Sequence, residues 1–347
     1  QTLVMALEDA YLEYGEWFGT RPADHGQPIR VVIYTQEGFS AVTQVGAWAG
    51  GVYDGTIRVP LTDLSRELVR VVSVLRHELL HAFVKEVGGR GVPGWLNEGL
   101  ASFFEGCRIL GNGTVLMNLP ANHRLFPLVE RMDRGWMASA DDGVSADDPN
   151  QTPETAPTFR IVLENRYSWG PPWYAPTWGV VFFLYNYQDP WDGRFVYRAA
   201  FREFIDKSGG RMGEGAVENF EEVVLLNPMP PIDRKSRPDD MEEVELPGSV
   251  EELDEVWKRW LTRLRDEQSG KLEVERPFLR WAHYALEAGD LAAAQEHFEK
   301  GVVAAPEDVE VLMSFASFLY QQRANPDRAT KLVLSALRVL EGEDVAR

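Results

Sequence analysis

His77-Glu78-Leu79-Leu80-His81 constrains this chain more than any other stretch. It follows directly on an apolar-periodic run, Leu68-Val69-Arg70-Val71-Val72-Ser73-Val74-Leu75-Arg76, which holds no Gly or Pro, so the motif is expected on a helix. Residues four apart on a helix share one face, one turn up. Two imidazoles at that spacing can hold one metal ion, and Glu78 beside them can reach a water at the same place.

A catalytic zinc site takes three protein ligands and keeps one position open. Trp95-Leu96-Asn97-Glu98-Gly99-Leu100-Ala101-Ser102-Phe103-Phe104-Glu105 begins fourteen residues after His81 and supplies Glu98 as the third. Between them Gly88-Gly89-Arg90-Gly91-Val92-Pro93-Gly94 is turn-forming and lets a second helix fold back on the first. Leu96, Leu100, Phe103 and Phe104 give that helix a buried face. Zn²⁺, one per chain, is the expected cofactor, held by His77, His81 and Glu98. Glu78 is the expected general base, and Glu105 the candidate partner that fixes an imidazole from behind.

These motifs resemble the gluzincin zinc metallopeptidases, which carry two His on one helix and a Glu on the next. The Trp95–Ala101 segment is similar to that of zinc aminopeptidases, and the order of motifs over residues 1–265 looks more like bacterial peptidase-MA-like proteins with tetratricopeptide (TPR) repeats. The resemblance is specific in 49–105 and 174–184. It implies an α+β fold: a thermolysin/aminopeptidase-like catalytic domain with a small sheet, active-site helices and then a helical part, followed by TPR-like hairpins. It also implies that the strand before the metal helix runs along the cleft, with Gly50, Gly51 and Val52 taking a peptide as an added strand. The bare alternative is a hairpin with structural glycines. The glutamate motif with which aminopeptidases hold a free amine has no match; Asp54 is near it but out of register. Before the apolar helix, expected to start near Pro176 and Thr177, the resemblance implies an oxyanion-donating tyrosine, carried over as Tyr174 with Tyr167 as rival.

Composition narrows the partners. With 35 basic against 54 acidic residues, net charge −19, the balance argues against nucleic acid as a partner and disfavours an anionic membrane surface. No apolar run is long enough to span a bilayer, so no transmembrane segment is expected. Cys107 is the only cysteine, which rules out disulfides and thiolate zinc sites. The sequence begins at Gln1, so a processed or truncated form is expected, and the resemblance leans toward a periplasmic or secreted location.

Taken in order, residues 3–18 read as helix, Arg30–Thr35 as a buried strand, Glu37–Val45 as a helical turn and Trp48–Pro60 as a hairpin turning at Asp54-Gly55. Gly111–Ala121 reads as a short hairpin or loop, 122–136 as helix, 138–157 as an acidic exposed loop, and 195–206 and 214–226 as amphipathic helices. His123 is expected at the surface or in packing. Residues 227–248, with five prolines, read as irregular, and Ser249 caps the next helix, expected to run to about Leu264. Phe278, Trp281, Ala282, Ala285, Gly289, Ala294, Phe298 and Pro306 then follow the TPR pattern. A weaker copy runs from Leu312 through Phe315, Ala316, Leu319, Ala329 and Leu332 to Ala336.

The expected units are 1–106 (the α/β part with the motif helix), 107–265 (the mainly helical part) and 271–347 (TPR-like repeats). The expected function is peptide-bond hydrolysis, with a peptide or protein substrate and a possible protein partner on the TPR-like helices. The alternatives are a weakly active or non-catalytic binding module, and a zinc hydrolase acting on a non-peptide amide.

Overall fold

The computed structural model describes residues 2–18, 28–43, 50–61, 64–87, 92–109, 115–116, 118–134, 157–165, 170–189, 194–207, 214–228, 245–272 and 276–345. The chain is mostly helical with one small three-stranded sheet, an α+β arrangement in the coarse sense. Strands β1 (Val31–Tyr34) and β3 (Ile57–Pro60) pair in parallel, Val31 opposite Ile57, and helix α2 (Gln36–Thr43) lies in the crossover between them. β2 (Val52–Tyr53) is antiparallel to β3 and forms the edge. Its turn is set by Asp54, whose carboxylate accepts from the Thr56 amide at 3.2 Å, and by Gly55 at φ 103°, a conformation that favours glycine.

Helix α1 (Thr2–Phe18) and helix α3 (Leu64–Val87) pack side by side. Tyr14 of α1 is fully buried between Phe83 and Phe104, and its hydroxyl donates to the Arg76 carbonyl at 2.8 Å. Arg76, also buried, spans from the Phe104 carbonyl to the Glu13 carboxylate. The motif helix is thus tied laterally on the side away from its two histidines.

Helix α4 (Gly94–Phe103) folds back on α3. Pro93 at its start offers no capping side chain; the Asn165 side chain, left-handed at φ 51° after helix α6 (Phe159–Glu164), accepts from the Trp95 amide instead. Helix α7 (Tyr174–Asn186) is buried along most of its length and packs on α4. The contact is close because position 99 is glycine: a Cβ there would stand 2.8 Å from the Thr177 carbonyl oxygen and from Val181 Cγ2. α7 starts at Tyr174, directly after the tight turn Pro171–Trp173, rather than near Thr177. Pro176 does not delay it, since first-turn amides need no intrahelical acceptor.

A two-stranded ribbon, β4 (Arg108–Ile109) with β5 (Val115–Leu116), leads into helix α5 (Asn122–Arg134). Helix α8 (Arg198–Lys207) begins three residues later than its amphipathic pattern, because Phe195 bridges to Gln188. Helix α9 (Glu214–Phe220) widens into a π-turn over Glu221–Leu225. Helix α10 (Val250–Gln268) is capped by Ser249, whose hydroxyl accepts from the Glu252 amide. One apolar core runs through these elements from Ala10 to Leu261.

Helices α11 (Pro277–Glu287), α12 (Leu291–Ala304), α13 (Val309–Gln321) and α14 (Pro326–Val345) form two antiparallel hairpins around a second core, from Leu279 to Ala336. Phe298 stacks on Phe315 there at 5.5 Å, and small residues, Ala282, Ala294 and Gly301, sit at the crossings. His297, half-buried, stacks on Trp281, while His283 is exposed and meets Phe298 edge-on at the surface. No described helix is long and apolar enough to cross a membrane. The loop expected at 138–157, up to its last residue, together with Tyr167, most of 227–248 and the glycines at 88–91, lies outside the described residues.

Candidate metal centre

α3 and α4 bring three side chains to one point. His77 and His81 project from one face of α3, their rings 4.8 Å apart. Glu98 Oε2, on the facing turn of α4, lies 3.3 Å from His77 Nε2 and 3.4 Å from His81 Nε2. One ligand atom from each of the three fits within 4.8 Å of the others. Ligand atoms around a tetrahedral zinc at about 2.0–2.1 Å stand roughly 3.3–3.4 Å apart, the separation seen between carboxylate and imidazoles.

The donor set fits a cation and little else. Glu98 Oε2 is buried and accepts no well-aligned hydrogen bond, and His81 Nδ1 is buried without a partner. A carboxylate oxygen facing two imidazole nitrogens is a cluster of lone pairs; a proton or a metal must sit among them. Burial works against a charged His77, but its hydrogen bond to Glu105 and its contact with the Glu98 carboxylate overcome that and pull its pKa up to about 10. Burial likewise acts to raise Glu98, and contact with His77 and His81 outweighs it, holding the carboxyl at about 2. The metal-free site therefore stores a proton on His77, where a divalent ion would replace it.

Glu78 lies beside His77 on α3 and under the hairpin. A Cβ on Gly51 would lie 3.0 Å from Glu78 Cγ and 2.7 Å from Val74 Cγ1, so only glycine lets the chain pass over the carboxylate. Burial raises the pKa of Glu78, with His77 and His81 opposing. Gly50, Gly51, His77, Glu78 and Tyr174 line one cleft of about 660 Å³. Val52 does not line it; it pairs with Arg58 in β2, whose outer edge is unpaired among the described residues.

Glu105 lies just past the end of α4, in the turn after Phe103, rather than on the helix. Glycine is required next to it, because a Cβ on Gly106 would fall 1.9 Å from the Leu119 carbonyl oxygen. Its Oε1 accepts from His77 Nδ1 at 2.8 Å, which directs His77 Nε2 toward Glu98 and His81. Burial acts to raise its pKa, but Arg124, His123 and His77 hold the carboxyl well below the usual range.

Tyr174 stands at the start of α7 with its ring 5.9 Å from that of His77. His123, an exposed side chain, lies 3.1 Å from Glu105 Oε2. Arg124 grips both oxygens of Glu105 and lies 4.9 Å above the Tyr174 ring. Sequence reasoning passed over Arg124, and no periodicity links it to Glu105 across nineteen positions. Comparison with known proteins finds no matching family model, no similar curated protein and no similar solved structure.

Proposed function

We propose that this chain is a zinc-dependent hydrolase of peptide bonds, with His77, His81 and Glu98 holding the metal. The observation that carries the reading is Glu98 Oε2, buried, without an aligned donor and facing two imidazole nitrogens at tetrahedral spacing. Bound zinc would supply Lewis-acid chemistry, polarising a carbonyl and making a water nucleophilic near neutral pH. Glu78, its pKa raised by burial, takes the proton of the attacking water and delivers it to the leaving amine. Tyr174, at the mouth of the cleft beside His77, donates to the developing oxyanion. Glu105 holds His77 in the tautomer that leaves Nε2 free for the metal. The open edge of β2 and the Gly50-Gly51 backbone offer hydrogen bonds to an extended substrate.

The gluzincin-like assignment of residues 1–106 and 107–265, and of 271–347 as TPR-like repeats, is part of the same proposal; the two separate apolar cores support the division near 270. A non-catalytic binding module is the second reading, favoured by large apolar side chains on the hairpins, Val303 and Tyr320, each 78% exposed.

Metal content by plasma mass spectrometry, on wild type and Glu98→Ala, is the first test. About one zinc per chain, lost in the variant, is expected. Against a peptide library, Glu78→Gln should keep its zinc and lose about 10²–10⁴ in rate. Tyr174→Phe should lower kcat with KM little changed; the same effect from Tyr167→Phe instead would reassign the donor. Zinc-loaded wild type that cleaves no peptide would shift the reading to the binding module.

A further inference from the structure

We propose that Arg124 is a positioning residue of the metal centre, a clamp that fixes the Glu105 carboxylate behind His77 and the Tyr174 ring beside it in one stroke. The inference rests on the zinc reading and extends it to a residue outside both motifs.

The guanidinium is used twice. Its edge is spent on Glu105: Nη2 donates to Oε1 at 2.7 Å and Nε donates to Oε2 at 3.0 Å. Oε1 is the same oxygen that accepts from His77 Nδ1. Its face is spent on Tyr174, at 4.9 Å from the ring centre. Glu105 needs this help because it stands in a turn past the end of α4. Ser73 Oγ donates to its backbone carbonyl at 3.0 Å, which leaves the side-chain torsions free, and the exposed His123 reaches only Oε2, at 3.1 Å. A carboxylate free to rotate would let the His77 ring turn with it and move Nε2 off the metal position.

Arg124 itself rides on a rigid support. Its amide donates to the Ala121 carbonyl at 2.7 Å, starting the first turn of α5. One turn on, Leu128 is fully buried against α7, where a Cβ on Gly179 would come within 2.8 Å of its Cδ2. α5 therefore carries the clamp from the helix that also bears Tyr174. Lysine could supply the charge but not the planar fork and stacking face together.

The test compares wild type, Arg124→Lys and Arg124→Gln in three measurements. These are zinc affinity by competition with a chromogenic chelator, the visible spectrum of the Co²⁺-loaded chain, and thermal unfolding of the metal-free chain. Both variants should lose about 10–100-fold in zinc affinity and shift the Co²⁺ bands; Arg124→Gln should also lower metal-free stability, since it strands the buried Glu105 carboxylate, whereas Arg124→Lys keeps the charge and should lower it less. On a peptide that the wild type cleaves, kcat should fall while KM holds. Should Arg124→Gln fail to fold, Arg124→Lys carries the comparison. Zinc affinity and Co²⁺ bands equal to wild type would overturn the clamp, as would loss of folding in both variants, which would mark a purely structural ion pair. Weakened zinc binding in the variants of a wild type that cleaves nothing would support the clamp and sink the peptidase reading alone. A wild type that takes up no zinc would overturn both.

Discussion

At Gly51 the room left for a side chain is nil: the backbone passes so close over Glu78 that a Cβ would overlap Val74 and press on the carboxylate. Gly51→Ala should therefore push Glu78 aside without touching the ligands. Zinc content should stay at the wild-type level while kcat/KM falls about 10²-fold, the usual cost of a displacement near 1 Å. Equal loss of zinc would show that the hairpin supports the ligands rather than the base. His77 carries a second expectation at this scale. With its pKa pulled up to about 10, it is protonated in the metal-free chain at neutral pH. Zinc binding near pH 7 should release about one proton, and affinity should rise with pH until that proton is gone. Calorimetry in buffers of different ionisation enthalpy reads this directly; no proton release would mean that His77 is already neutral.

Among the elements, α4 is the one on which the site turns. It carries Glu98, borrows its N-terminal cap from Asn165, and touches α7 at Gly99. Gly99→Ala adds a methyl where 2.8 Å separates the Cβ position from Thr177 and Val181, so it should cost about 1–3 kcal/mol in overpacking despite the better helix propensity of alanine. Because Glu98 is the next residue, zinc affinity should fall with stability; chemical denaturation and chelator competition on one sample check both. The element pattern shows what the sequence makes legible. α3 was readable from an apolar run without breakers, and the β2–β3 turn from Asp54-Gly55. The end of α4 was not, because apolar Phe104 continues the helical period one position past the last helical residue, Phe103. That end decides where Glu105 points. The start of α7 was misjudged because Pro176 looks like a first position when the tight turn before it already supplies one. The π-turn at Glu221–Leu225 has no sequence mark at all.

For the whole molecule, the partnership of Glu105 with Arg124 was the hidden part of the site, since it depends on how the ribbon β4–β5 returns the chain rather than on any local period. Three buried tyrosines give a global expectation of a different kind. Burial, helped by nearby Glu245, pushes Tyr187 up to about 12, and burial holds Tyr14 and Tyr197 higher still. An unfolded phenol ionises near about 10, so these groups contribute stability that is full below that pH and lost as pH rises through the folded values. Alkaline unfolding should set in above about pH 10 and coincide with the tyrosinate absorbance change; tyrosinate forming at the ordinary value in a still-folded chain would contradict the burial. Finally, α6 is moored at both ends: the Phe159 amide donates to Asp254 on α10, and Asn165 caps α4. The placement of α4 therefore owes nothing to the length of chain between Arg134 and Pro157. Each doubling of such a connection costs only about 0.6 kcal/mol. That interval is where an affinity tag or reporter can be grafted with the ligands left undisturbed.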